Sequence, residues 1–371
     1  MKADVLIVGG GIQGCATAWN LARAGASVIL IEKDHVARHA SSVNAGGVRL
    51  LGRDMAEVPL SKAAMEMWQS LDEDLQGDTG FRATSLINIA ADEVDITTLK
   101  AREARMQAAG FTHERIISRD ELRERLPHVH PSCRGGVISK KDGLAIPYKA
   151  TNAFRLSAER HGALVLEGCE MTSLRRVGPA WLAETSAGRI EAETVVNCAG
   201  AWADRVALMI GDNVPLTHAA PMLMITARMP RFADPVVGAV SRQLSFKQFD
   251  NGTVLIGGGA KGFADRAANR TRLDYAKLAN AARITTEFFP IMARASINRM
   301  WAGLEAYMPD NLPVISPAVN AARAFHAFGF SAHGFQMGPI VGKVMADLVL
   351  TGRCDFDLSP FHIDRYDRKV L

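Results

Sequence analysis

Gly9, Gly11 and Gly14 stand in the spacing G-x-G-x-x-G, and Glu32 follows eighteen residues after the last of them. Glycines so spaced bring a backbone against a pyrophosphate. The first permits a tight turn, the second a close approach of the phosphates, and the third close packing of a helix on a strand. Glu32 is placed to accept from both hydroxyls of an adenosine ribose. The local pattern supplies the elements this chemistry needs. Asp4–Val8 is an apolar run of strand length, a helix is expected from Ile12 to Ala24 with a stop at Gly25, and Val28–Ile31 is a second strand. A helix opening at Ile12 and Gln13 aims unpaired N–H groups and its positive dipole end at the phosphates. Strand, helix, strand and acid together read as a dinucleotide-binding βαβ unit, where the glycines alone would read as a turn.

At 371 residues the chain is long enough for one large or two intergrown domains. A net charge of +4, dispersed along the sequence, is too mild to argue for nucleic acid or a membrane surface as a partner, and none is expected. No apolar stretch reaches spanning length. The first strand begins at Asp4, which leaves no room for a signal peptide, and the expected location is the cytoplasm. Cys15, Cys133, Cys169, Cys198 and Cys354 form no CxxC pair and no metal-ligand spacing, so no metal site and no disulfide framework is expected. Cys15 and Cys198 read as small core residues.

The loop Lys33–Gly47 ends Ala-Ser-Ser-Val-Asn-Ala-Gly-Gly, small and polar enough to wrap a ligand next to the acid, with Asn44 among its contacts. An amphipathic helix is expected over Pro59–Leu75, and Ser118-Arg-Asp-Glu121 has the form of a capping box before a helix closed by Pro127. Residues 81–143 mix short strands with polar helices, as inserted material. Helix Ala150–Arg160 and strand Ala163–Leu166 continue a doubly wound sheet, and Trp181–Thr185 and Arg189–Asn197 form strands about a turn. From Gly211 to Arg299 the signals are mainly antiparallel. They include strands at Pro221–Arg228 and Gln243–Phe249, a hairpin turn at Asp250–Thr253 into Val254–Gly257, and a helix over Arg272–Phe289 stopped by Pro290. Near the end, Phe325–Pro339 reads as a strand, a glycine-histidine loop and the start of a helix running to Thr351.

Three distant stretches together resemble the D-amino acid oxidase superfamily of FAD enzymes: Gly9 to Glu32, Val195-Val-Asn-Cys-Ala-Gly-Ala-Trp202, and Gly329-Phe-Ser-Ala-His-Gly-Phe335. The branch they are most similar to holds glycine oxidase, sarcosine oxidase and the flavin subunits of opine and hydroxyproline dehydrogenases. The likeness implies an α/β chain, α+β overall. A discontinuous Rossmann-type FAD-binding domain would take residues 1–78, 144–211 and 300–371. A mainly antiparallel substrate domain would take 79–143 and 212–299. It implies non-covalent FAD held by Gly9, Gly11, Ile12, Gln13, Gly14, Glu32, Lys33, Ser41, Ser42, Asn44, Gly46, Gly47, Met171, Ala199, Gly200, Trp202, Gly334, Phe335 and Gln336.

The resemblance implies removal of a hydride from the carbon beside an amine, giving an imine. The donor would be a secondary amine, imino acid, opine or D-amino acid, and no dedicated base is needed if the amine arrives neutral. His333 is the expected polar group near the flavin ring. Arg49 is the expected carboxylate partner, with Arg53 and Gln336 as helpers. Glu305 stands where glycine oxidases have arginine, and either faces a cationic group of the substrate or pairs with an arginine. The alternatives are a hydroxy-acid or polyol-phosphate oxidoreductase, and a flavin-bearing subunit whose chemistry lies in a partner. Residues 301–306 lack the cysteine that carries covalent flavin in monomeric sarcosine oxidases. Residues 253–257 lack the lysine that those enzymes place over the ring, so oxygen is expected to be a poor acceptor and partner subunits are expected to take the electrons. Lys247 and Lys261 are the neighbouring cations that could fill that place.

Overall fold

The apolar strand Lys2–Val8, the helix Ile12–Arg23 and the strand Val28–Ile31 open the computed structural model, which describes residues 1–257 and 259–369. Two of the three glycines in the turn are required by contact. Gly9 has φ +113°, and a Cβ there would lie 2.4 Å from the Cys198 carbonyl oxygen. A Cβ on Gly14 would lie 2.0 Å from the carbonyl oxygen of Gly9. Five strands run parallel in the order Leu164–Leu166, Val28–Ile31, Lys2–Val8, Gly188–Asn197, Ala324–Phe328. A hairpin of Met171–Val177 and Ala180–Thr185 extends this sheet antiparallel, and Val314–Pro317 pairs with Ala324–Phe328. The strand at Met171 was not expected, because its outward residues are charged and break the apolar run.

Helix Ile12–Arg23 is buried on nearly every side, packed between Pro147–Arg160 and Gly334–Thr351. Trp19 meets Phe154 edge-on at 5.7 Å, and Gly342 lets the last helix approach so closely that a Cβ would lie 2.5 Å from that of Ala16. The expected helix at Pro59–Leu75 spans Val58–Asp74, and Ser118 caps Arg119–Arg125 by accepting from the Glu121 N–H.

The second sheet has eleven strands and is mostly antiparallel. Its long central strand Thr217–Thr226 pairs with Val254–Gly257, Lys261–Asp265, Ile297–Ala302 and Glu305–Tyr307. The domain boundary expected between 299 and 300 therefore falls inside a strand, and the sheet runs on to Tyr307. Hydrogen bonding to a strand remote in the chain decides this, which local pattern cannot report. The helix expected from Arg272 opens at Tyr275, because Arg270–Arg272 pair with Lys261–Asp265 and Asp274 caps the helix from the Lys277 N–H. The turn at 250–253 closes the hairpin of Ser245–Gln248 with Val254–Gly257. Phe246 and Phe289 meet edge-on at 4.7 Å in the core beneath this sheet. A small sheet of Gly47–Val48, Arg82–Ala83 and Gly143–Leu144 links the two parts. No helix among the described residues is long and apolar enough to cross a membrane.

Candidate active site

A cavity of about 850 Å³ lies between the two large sheets and takes its walls from both. At one end stand Gly9, Gly11, Ile12 and Gln13, where the first helix begins. Gly11 offers that helix no side-chain cap, the Ile12 N–H donates to Ser41 Oγ at 2.9 Å, and Gln13 Oε1 is buried without a partner. Glu32 is fixed by two backbone donors: Gly10 N–H to Oε2 at 2.8 Å and Asp34 N–H to Oε1 at 3.0 Å. Each oxygen keeps a lone pair for a further donor. Burial raises the Glu32 pKa, and the two N–H groups and Lys33 pull against it. The Lys33 ammonium sits 3.2 Å from the centroid of the Trp202 ring, whose centroid is 5.2 Å from that of His39.

A hairpin of the second sheet reaches over this end. Asn269 pairs its Oδ1 with His39 Nε2 at 2.7 Å and donates from Nδ2 to Asp34 Oδ2 at 3.1 Å. Arg266 donates to the Ala201 carbonyl at 2.9 Å and to Asp204 Oδ1 at 2.6 Å. Burial drops the His39 pKa to about 4, so its ring is neutral.

Arg49, Arg53, Glu305, Tyr307, His333 and Gln336 also line the cavity, and Gln13 Nε2 donates to the Gly334 carbonyl beside them at 2.8 Å. Arg49 donates from Nη1 to the Leu51 carbonyl at 2.8 Å and has no further protein acceptor among the described residues. Arg53 is buried, donating from Nε to the Arg49 carbonyl at 3.2 Å, and from Nη2 to the His333 carbonyl at 3.1 Å and to Gln336 Oε1 at 2.8 Å. Gln336 also donates to the Ser61 carbonyl at 2.9 Å, so it holds Arg53 while lining the cavity wall.

Arg102 braces the same loop, donating to both oxygens of buried Glu114 at 2.7 Å and to the Arg53 carbonyl at 2.9 Å. Glu305 accepts from the Ala332 N–H at 3.0 Å and from the Tyr307 hydroxyl at 3.3 Å. No arginine pairs with it among the described residues, which removes that alternative. The cation at hand, Lys261, is stacked 3.7 Å from the Tyr307 ring centroid, and burial pushes the Glu305 pKa up to about 7.

Of the residues expected to hold the cofactor, Gly14, Ser42 and Gly46 lie outside the cavity wall and the other sixteen line it. Gly14 acts through packing, as above. Gly46 supports the wall from behind: its φ is +65°, and a Cβ there would meet the Ala145 carbonyl oxygen at 2.2 Å. Cys15 and Cys198 are buried, and burial raises the Cys198 pKa to about 12, as befits inert core thiols. Sequence reasoning missed Glu57, which is 0% exposed, its Oε2 lying 3.3 Å from His333 Nδ1. The available signal was the four-residue spacing of Arg49, Arg53 and Glu57. The glycine cradle, the helix start behind it, the unpartnered Gln13 oxygen and the anchored Glu32 fit FAD.

Residues 4–348 match the family model described as FAD dependent oxidoreductase, DAO. Mitochondrial dimethylglycine dehydrogenase of Mus musculus is 26% identical over 99% of this chain, which spans only 44% of that relative's length. An opine oxidase subunit of Rhizobium meliloti is 23% identical, with 99% of this chain and 98% of the other covered. The crystal structure of L-proline dehydrogenase from P. horikoshii superposes with a TM-score of 0.92 at 27% identity, over 99% of this chain and 98% of that one.

Proposed function

Because the chain belongs to the FAD dependent oxidoreductase (DAO) family, we propose that it oxidises the carbon next to an amine nitrogen to the imine level. The substrate class is a secondary amine, imino acid, opine or D-amino acid. The observation that carries this is one cavity wall with a guanidinium and a carboxyl group, neither of them held in an ion pair. Arg49 is fastened by one nitrogen and open at the others, and Glu305 has no arginine beside it. That pair suits a small molecule bearing both a carboxylate and an amine. The L-proline dehydrogenase and opine oxidase names of similar chains point to the same class.

FAD, held non-covalently, supplies the two-electron acceptor. The chain does the rest. The turn at Gly9–Gly14 and the first helix hold the pyrophosphate, and Glu32 holds the adenosine ribose. Arg49 forks onto the substrate carboxylate, braced by Arg53, Gln336 and Arg102. Glu305 and Tyr307 face the substrate's cationic end, and the sheet above excludes water. A partner chain takes the electrons onward, in keeping with the opine oxidase relative being named as one subunit of its enzyme. The test is the visible spectrum of the purified protein without oxygen. Flavin bands bleached by an imino or secondary amino acid, and not by the corresponding hydroxy acid, support the reading. Bleaching by the hydroxy acid alone overturns it.

A further inference from the structure

Glu57 is buried at 0% exposure, and the function above leaves it without a task. It occupies the cap position of helix Val58–Asp74 but makes no capping bond, although a carboxylate there ordinarily accepts from the first turn. Its side chain points instead at the residue that caps the final helix, His333, with Oε2 3.3 Å from Nδ1. The starts of two helices thus converge on one carboxylate, and their positive dipole ends favour its ionised form.

The Glu57 pKa is lowered: burial raises it, and His333, Arg53 and Arg49 outweigh that. His333 is shifted down as well. Burial first, then Arg53 and Arg49, lower its pKa against the pull of Glu57, so the ring is neutral near pH 7. The other titratable group on this loop is Glu305, bonded to the neighbouring Ala332 N–H. The 3.3 Å approach is not an aligned hydrogen bond: both Glu57 oxygens, His333 Nδ1, Arg53 Nη1 and Ser61 Oγ are buried without aligned partners.

We propose that His333 removes the proton from the substrate's ammonium nitrogen through Nε2, and that Glu57 is the positioning residue that holds its Nδ1–H. His333 lines the cavity, and its Nε2 has no protein partner among the described residues. A carboxylate on Nδ1 fixes the tautomer in which the lone pair is on Nε2. The balance is simple. The N–H bond of the ammonium breaks, its electron pair stays on nitrogen, and the proton joins Nε2. The freed pair would then be available to form the C=N bond, for which the family's flavin, when bound, would supply the two-electron acceptor. The imidazolium is stabilised by Glu57 until it releases the proton to water.

The inference rests on the amine reading, so it is tested both with and without substrate. In the protein alone, nitrogen-15 NMR of labelled histidine, with His333→Asn for assignment, is expected to show Nδ1–H in the wild type and its loss in Glu57→Gln. With an amine donor, kcat/KM for flavin reduction is expected to rise with pH to a plateau. Glu57→Gln should lower the plateau about 10- to 100-fold and move the acidic limb to lower pH, because the imidazolium loses its counter-charge. Glu57→Asp should recover part of both. An Nε2–H tautomer in the wild type, or an unmoved limb in Glu57→Gln, overturns the proposal. If no amine bleaches the flavin, the amine reading fails and the proton-acceptor role with it. A lost Nδ1–H in Glu57→Gln would then still establish the pairing.

Discussion

Replacing Glu305 with glutamine is expected to erase a pH dependence in both binding and stability. Burial pushes its pKa from 4.5 up to about 7, which corresponds to about 3 kcal/mol. The sign follows from proton counting. Between pH 4.5 and about 7 the folded chain holds a proton that the unfolded chain has released, so this group's contribution falls as pH rises through that window and is level above it. The figure is an upper limit, since part of the residue faces the cavity.

The same difference bounds the gain in binding. A substrate cation that returned the carboxylate to its ordinary pKa would bind up to about 300-fold tighter above pH 7 than below pH 4.5. The assay compares two donors, one with an additional amine or guanidinium and one neutral there, from about pH 5.5 to about pH 8.5. In the wild type KM for the cationic donor should fall as pH rises through about 7, and in Glu305→Gln it should stay flat while the neutral donor changes little. Equal pH slopes for the two proteins would refute the reasoning.

Arg49→Ala is expected to raise the apparent KM strongly, by the ~2–5 kcal/mol typical of an unpaired buried carboxylate. Normal kinetics would show that the carboxylate is held elsewhere. Acid precipitation should leave the yellow colour in the supernatant, since residues 301–306 contain no cysteine; colour in the pellet would contradict this. Oxygen should be a poor acceptor above about pH 7. The strand Val254–Gly257 carries no cation, and Lys247 beside Gly46 is buried with an unpartnered amine and a pKa brought down to about 7. Peroxide should form slowly there and faster in acid, and Lys247→Met should abolish the acid increase; rapid peroxide at high pH in the wild type would count against it.

The cofactor end was legible in the sequence because its determinants are local. Three glycines, a strand, a helix and an acid lie within thirty-odd residues, and each obeys a short-range steric or dipolar rule. The substrate end was legible only by residue. Arg49, Glu305 and His333 do line one cavity, but their partners come from contacts no local pattern encodes. Glu57 and His333 meet because two helices from opposite ends of the chain start at the same place. Gln336 turned out to brace Arg53 because a carbonyl at Ser61 lies within reach of its amide. The strand ending at Tyr307 was assigned to the wrong part for the same reason: its pairing partner, Thr217–Thr226, is remote.

The hairpin carrying Arg266 and Asn269 ties the second sheet to Asp34, His39, Ala201 and Asp204, beside the residues that flank the adenosine end of the cavity. Those four ties are polar and partly buried, whereas the sheets beneath are held by buried apolar cores. Separating the hairpin from this end of the cavity would therefore break a few polar contacts and leave both cores packed.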